Sequence, residues 1–346
     1  MITYKTIYCE FEFLKELARE YERVRLSDPF QNRKAVNSIA QLLNLLYHSE
    51  ICIDIPREKF GAEITNYPIF NILVKQGRVM SSNEFPDLDN VSNYANNKVL
   101  NSIFLTLKNK RKREELASRL GVIVIGKEHI LNFIELYKSE DLPIHKREKL
   151  DWNGLISISD IQKSNAIIIE DNYILSGSST NKIKANLIPL LEVILPYSTI
   201  IQYHISIYAC NIFGNEKNTC DVIEKEIKRI RPALDFKLCI FKIREATEDH
   251  FHDRNIFTSN LLIDCSGGFD LVDDKGESTK TTKVSYSFPF LMVDDYGKST
   301  KKETYLNYIS DLLKIEKHDH CYNIDYWGAE SHENRLLEYY TETSQE

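Results

Sequence analysis

The sequence predicts an α/β protein of two domains, and three observations carry that expectation. The chain has 346 residues, more than a single core usually organises, so each half is long enough to bury a core of its own. Strand-like and helix-like runs alternate along both halves. Several strand-like runs, Val122-Ile123-Val124-Ile125 and Ala166-Ile167-Ile168-Ile169 among them, are apolar without alternation, the pattern of parallel strands covered on both faces.

Residues 6–9 read as a strand that feeds residues 11–21, where leucines and aromatics recur at helical spacing. Residues 39–47 read as helix, 50–55 as strand, and 69–74 as a further apolar segment before the break at Gly77. Asn, Asp, Ser and Pro crowd residues 83–97, which predicts a loop. Regular structure resumes as a strand at 102–106, a helix through Ala117, a strand at 121–126 and a helix at 127–137. The polar stretch 139–149, with Pro143, predicts the exit from this domain, so the first domain is expected over 1–150 and the second over 151–346.

The second domain starts with a buried strand at 166–175 that carries the acids Glu170 and Asp171, followed by a Ser/Gly/Thr loop at 176–180. A helix at 186–195, a strand at 200–209, a helix at 221–231 and a strand at 236–243 complete a βαβαβ order. Right-handed crossovers make these three strands parallel with helices on the faces, and the segment around His252 enters a further strand. Residues 305–315 predict a late helix, and the tail after Glu338 is expected to be mobile.

Composition narrows the function. Hydrophobic residues make up 42%, and 44 basic against 51 acidic side chains leave a net charge of -7, which argues against a surface coated in positive charge for non-specific nucleic-acid binding. The seven cysteines form no CxxC pair and several lie in apolar runs, so they are expected as reduced thiols in the cytoplasm. The first residues lack a signal peptide's basic flank and apolar core, and no apolar run reaches bilayer length. The expectation is a soluble protein with no transmembrane segment.

The chemistry concentrates at Phe251-His252-Asp253-Arg254, which leads into Leu261-Leu262-Ile263-Asp264-Cys265 and the small-residue turn Ser266-Gly267-Gly268. A neutral imidazole can attack phosphorus or move a proton, and a guanidinium two residues away can fork onto two phosphate oxygens. His252 and Arg254 are therefore the candidate catalytic pair. Arg254, Ser266, Gly267 and Gly268 are the candidate phosphate-binding group, the turn through its backbone N–H groups.

The order of this half, with His-x-Arg after the third strand and then Ser266, Gly267, Gly268, Phe269, Asp270 and Leu271, resembles the phospholipase D-like fold. More narrowly it is similar to the C-terminal domain found beside some microtubule-interacting-and-trafficking domains. The resemblance covers about residues 160–295. It departs from the active His-x-Lys-x4-Asp pattern, because Arg254 replaces the lysine and Ser259 stands at the acidic position. It implies action on, or recognition of, a nucleic-acid phosphate backbone, in a prokaryotic defence or toxin setting. A histidine mechanism of this kind uses two motifs, and this chain has one, so catalysis implies a homodimer. The alternatives are a non-catalytic adaptor for a protein partner and recognition of phospholipid head groups.

In the first half, Phe104-Leu105-Thr106, Glu115-Leu116-Ala117, Leu120 through Ile125 and Lys127 through Leu131 resemble the closing half of a PIN-like ribonuclease domain. That resemblance implies carboxylates gathered around a divalent cation, Mg²⁺ or Mn²⁺, with Glu10 and Asp54 as the first ligand candidates and Asp87 and Asp89 behind them. The acid the family carries shortly after Thr106 is missing from Leu107-Lys108-Asn109-Lys110. The basic run from Lys108 to Arg113 has two readings, a phosphate track or a solvated helix face.

Overall fold

A computed structural model describes residues 5–26, 32–76, 78–81, 83, 85–90, 97–155, 163–176, 180–212, 214–243, 254–273, 275–293, 299–317, 324–329 and 333–341. The chain is α/β and divides into two units, residues 1–138 with 288–303 and residues 139–287 with 304–346. The first unit is therefore assembled from two stretches of chain.

In the first unit β1 (Thr6–Cys9) runs into α1 (Phe11–Arg25), and α2 (Arg33–Tyr47) precedes β2 (Glu50–Ile53). Then come α3 (Phe60–Asn66), α4 (Pro68–Lys75), β3 (Val79–Met80), α5 (Asn97–Leu100), β4 (Ser102–Leu105), α6 (Lys110–Leu120), β5 (Ile123–Ile125) and α7 (Phe133–Tyr137). The strands form one parallel sheet in the order β3-β2-β1-β4-β5. Every residue of β1, β4 and the edge strand β5 is buried, as unalternating apolar runs require. Sequence sets the helix ends too: Asn109 caps α6 by accepting from the Lys112 N–H at 3.0 Å, and Gly121, at φ +66°, ends it in the left-handed region. The helix expected over 127–137 is broken into a 3-10 turn at Lys127–His129 and the short α7.

The second unit contains β6 (Glu140–Ile144), α8 (Trp152–Leu155), β7 (Ala166–Glu170), α9 (Thr180–Ile194), β8 (Tyr203–Ala209), α10 (Glu216–Ile230) and β9 (Phe236–Ile243). It continues through β10 (Asn255–Thr258), β11 (Leu262–Cys265) and β12 (Thr282–Ser287). Helix α11 (Thr300–Lys317), whose first turn counts with the first unit, β13 (Ile324–Gly328) and α12 (Arg335–Thr341) complete the elements. The eight strands lie in the order β13-β9-β8-β7-β10-β11-β12-β6. As expected, β7, β8 and β9 are parallel neighbours. From β10 onward the sheet is antiparallel.

Two expectations are revised. The polar stretch after Ser139 is not only an exit: β6 pairs with β12, and its exposure alternates because it lies at the sheet's edge. An edge strand, flanked on one side only, tolerates Pro143, and its Asp141 takes the Lys283 ammonium at 2.9 Å and the Ser285 hydroxyl at 2.6 Å. The tail expected to loosen after Glu338 continues as helix α12 to Thr341. Among the described residues no helix is long and apolar enough to cross a membrane, and the six described cysteines are free thiols, all buried.

Candidate functional site

Strand register builds the site. Asn255, the first residue of β10, pairs with Glu170 at the end of β7 on one side and with Asp264 near the end of β11 on the other. Three segments therefore converge at the carboxyl end of β7: the turn beginning at Asp171, Arg254 just ahead of β10, and the Ser266-Gly267-Gly268 turn after β11. The Cys265 N–H donates to the Arg254 carbonyl at 3.0 Å and closes this junction. Ligands of α/β sheets gather at such strand ends.

Asp171 is fully buried beneath it. Its Oδ1 accepts from the N–H groups of Tyr173 and Ile174 at 2.8 and 3.1 Å, and its Oδ2 accepts from the Phe269 N–H at 2.5 Å. Burial raises its pKa above the ordinary carboxylate value, opposed by the Phe269 and Tyr173 N–H groups, raised further by Asp270 and lowered by Arg254. This carboxyl is an anchor between two turns that are 98 residues apart.

Arg254 lies over that anchor. Its Nη1 donates to the Ser266 carbonyl at 3.0 Å, and its Cζ is 5.4 Å from the centre of the Tyr173 ring. Its Nε is a buried donor with no partner among the described residues. Gly268, at φ +79°, leaves room for the arginine: a Cβ there would stand 2.8 Å from Arg254 Cδ and 3.1 Å from Asp171 Oδ2. Two lysines flank the turn. Lys280 reaches Asp270 at 2.8 Å and also the Gly267 carbonyl, and Lys182 reaches Asp270 at 3.1 Å and the Ser176 hydroxyl at 3.3 Å.

Arg254, Ser266, Gly267 and Gly268 thus come together, while His252 lies outside the described residues. The turn behaves differently from the expectation. The Gly268 N–H donates to the Cys265 carbonyl at 2.9 Å and the Phe269 N–H to Asp171, whereas the carbonyls of Ser266 and Gly267 face the cations. The groups suited to an anion here are the side chains of Arg254, Lys182 and Lys280 rather than turn N–H groups. Nor does Cys265 offer a thiolate: burial raises its pKa, and its Sγ lies 3.1 Å from the Gly268 carbonyl. Sequence reasoning missed Tyr173, Lys182, Asp270 and Lys280 as members of one cluster, and of the buried anchor it had only the acidic end of a strand.

In the first unit Glu10 and Asp54 follow adjacent parallel strands, in register one step beyond Cys9 and Ile53. Glu10 faces the point where the sheet order reverses between β1 and β4, and its Oε2 accepts from the Leu107 N–H at 2.7 Å. Asp54 Oδ1 accepts from the Phe11 N–H at 2.6 Å, and its pKa is raised chiefly by desolvation, with Glu10 adding to it. Asp87 caps its own turn by accepting from the Asp89 N–H and the Asn90 amide, both at 2.9 Å. Asp89 is ion-paired with Lys108 at 3.0 Å. Among the described residues no group of three or more His, Cys, Asp or Glu side chains is placed to hold a metal ion.

The basic run resolves into a helix with local partners. Lys110 pairs with Glu114 and Lys112 with Glu115, while Arg113 is buried against Glu128 and the Lys108 carbonyl. That is the solvated-face reading for the lysines, with Arg113 as a packing residue.

No family model matches the chain, and no curated protein matches its sequence.

Proposed function

We propose that this protein recognises the phosphate backbone of nucleic acid through the second unit, with Arg254 as the principal contact and Lys182 and Lys280 as flanking charges. The observation that carries the reading is the preset guanidinium. Arg254 is held by the Ser266 carbonyl, the Tyr173 ring and the glycine-lined space at Gly268. A fork held in advance loses little entropy on meeting a planar or tetrahedral anion. The resemblance to phospholipase D-like domains adds the setting, a nuclease-like component of a prokaryotic defence or toxin system, and gives His252 the role of nucleophile in a homodimer.

Binding of a labelled oligonucleotide tests it. Charged hydrogen bonds contribute about 1.5–3 kcal/mol, so Arg254→Ala is expected to weaken binding by about tenfold or more. Arg254→Lys is expected to weaken it as well, since an ammonium keeps the charge and loses the fork. Unchanged affinity in both variants rejects the proposal. If cleavage accompanies binding through this unit, it persists in chelator and disappears in His252→Ala.

A second reading, a non-catalytic adaptor for a protein partner, draws on an apolar groove in the first unit. It encloses about 740 Å³ between α1, α2 and α4, and its lining includes Leu43, Ile69 and the exposed Tyr21, Tyr47 and Ile72. Absence of binding to any oligonucleotide, in Mg²⁺ and in chelator alike, favours this reading.

A further inference from the structure

We infer that the ligand of the Arg254 site is single-stranded nucleic acid, and that Tyr173 is the platform on which one of its bases stacks. This rests on the phosphate reading above and names the ligand class that reading leaves open. Tyr173 sits in the turn after β7, directly beside the arginine. Its backbone is fixed on both sides: its N–H donates to Asp171, and its carbonyl accepts from the Ser176 N–H at 2.9 Å and hydroxyl at 2.7 Å. The residue is nevertheless 41% exposed. A large aromatic with a pinned backbone, a part-exposed side chain and a guanidinium over one face of its ring is a ready stacking surface.

The neighbouring charges favour this ligand over others. Lys182 and Lys280 share the carboxylate of Asp270, and the whole chain carries a net charge of -7. Long-range attraction for a run of phosphates is therefore weak, and affinity must come from a short contact that adds something to charge. A base beside the bound phosphate supplies it. Bases in a duplex are already stacked on their neighbours and expose no face, whereas an unpaired base does. Inorganic phosphate and lipid head groups without rings offer the tyrosine nothing to stack on.

The test compares four proteins, wild type, Tyr173→Ala, Tyr173→Phe and Arg254→Ala, on three fluorescent ligands: a single-stranded oligonucleotide, its duplex and an abasic oligomer of equal length and charge. The wild type is expected to bind the single strand most tightly. Tyr173→Ala is expected to raise Kd for the single strand about tenfold beyond any rise it causes for the abasic oligomer, equivalent to about 1.4 kcal/mol of stacking. Tyr173→Phe keeps the ring and is expected to behave as wild type.

Equal binding of single strand and abasic oligomer by the wild type overturns the inference, as does a preference for duplex. So does a Tyr173→Ala loss that is the same on both single-stranded ligands, because the ring would then only prop Arg254. Binding to phosphatidylserine vesicles with none to any oligonucleotide overturns it too. Arg254→Ala separates the two levels: if that variant binds the abasic oligomer as well as wild type does, the phosphate reading itself fails, whatever the tyrosine variants show.

Discussion

Arg254 and Gly268 share one space, such that a single added carbon on the glycine would lie 2.8 Å from the arginine's Cδ. The glycine also has φ +79°, a conformation an L side chain enters at a cost. Both constraints act on the same position. Gly268→Ala is expected to lower stability by about 1–3 kcal/mol and to displace the guanidinium, so that urea denaturation and oligonucleotide binding fall together. Retained affinity in a destabilised variant would separate the turn's structural role from the site.

Asp171 predicts a pH signature. Its folded pKa is raised by burial, so the unfolded chain gives up this proton at lower pH than the folded one. Its contribution to stability is fully present below the ordinary carboxylate value and is lost as pH rises through the folded pKa. Asp171→Asn cannot titrate, and its amide turns a donor toward a donor at one of the three N–H groups that the carboxylate accepts from, costing about 1–3 kcal/mol. The stability gap between wild type and variant should narrow as pH rises from about 4 and level off above the folded pKa. A constant gap from acid to neutral would show that this carboxyl does not titrate differently on folding.

His204 gives the opposite slope. It is buried in β8, its Nδ1 accepts from the Arg335 N–H at 2.9 Å, and burial followed by Arg335 and Lys237 pushes its pKa down to about 2. The unfolded chain takes up the proton near the ordinary value of 6.5, so stability is intact above that pH and is lost as pH falls from there toward the folded pKa. The slope is at most about 1.4 kcal/mol per pH unit. His204→Gln keeps an acceptor for the N–H and should flatten the loss between neutral pH and 5, read by denaturant midpoints.

Millimolar Mn²⁺ or Mg²⁺ should leave the melting temperature unchanged. Glu10 and Asp54 end neighbouring strands, but each accepts a backbone N–H, and Asp89 is taken by Lys108. Hard cations need several converging oxygens. A rise in melting temperature that Glu10→Gln abolishes would restore the cation site to the first unit.

Much of the fold was legible because burial on both faces leaves a plain mark. Ile167-Ile168-Ile169 and Ile123-Val124-Ile125 read as parallel-sheet strands buried on both faces, and both are fully buried, the first inside its sheet and the second at the edge of a parallel one. Residues 140–144 were not legible as a strand, since an edge position allows charges and a proline that look like loop. Arg254 and the glycine turn were visible as a pair because chemistry and small residues stood close in sequence. Tyr173, Lys182 and Lys280 joined them only through strand register, which one sequence does not encode locally. The same holds for the turn: its composition suggested donors to an anion, but the Gly268 N–H already donates to the Cys265 carbonyl.

The first unit's divided chain bears on how the protein is made. Phe288 packs edge-on against Tyr137 at 5.1 Å between ring centres, and the Gln41 amide donates to the Val293 carbonyl at 2.8 Å. Those partners leave the ribosome only after residues 139–287 have been synthesised. The amino-terminal segment must therefore wait, incomplete, through the synthesis of most of the other unit, with exposed apolar surface that chaperones recognise. A nascent chain arrested at residue 150 should be protease-sensitive in this segment, and one arrested late enough to expose residue 303 outside the tunnel should be protected.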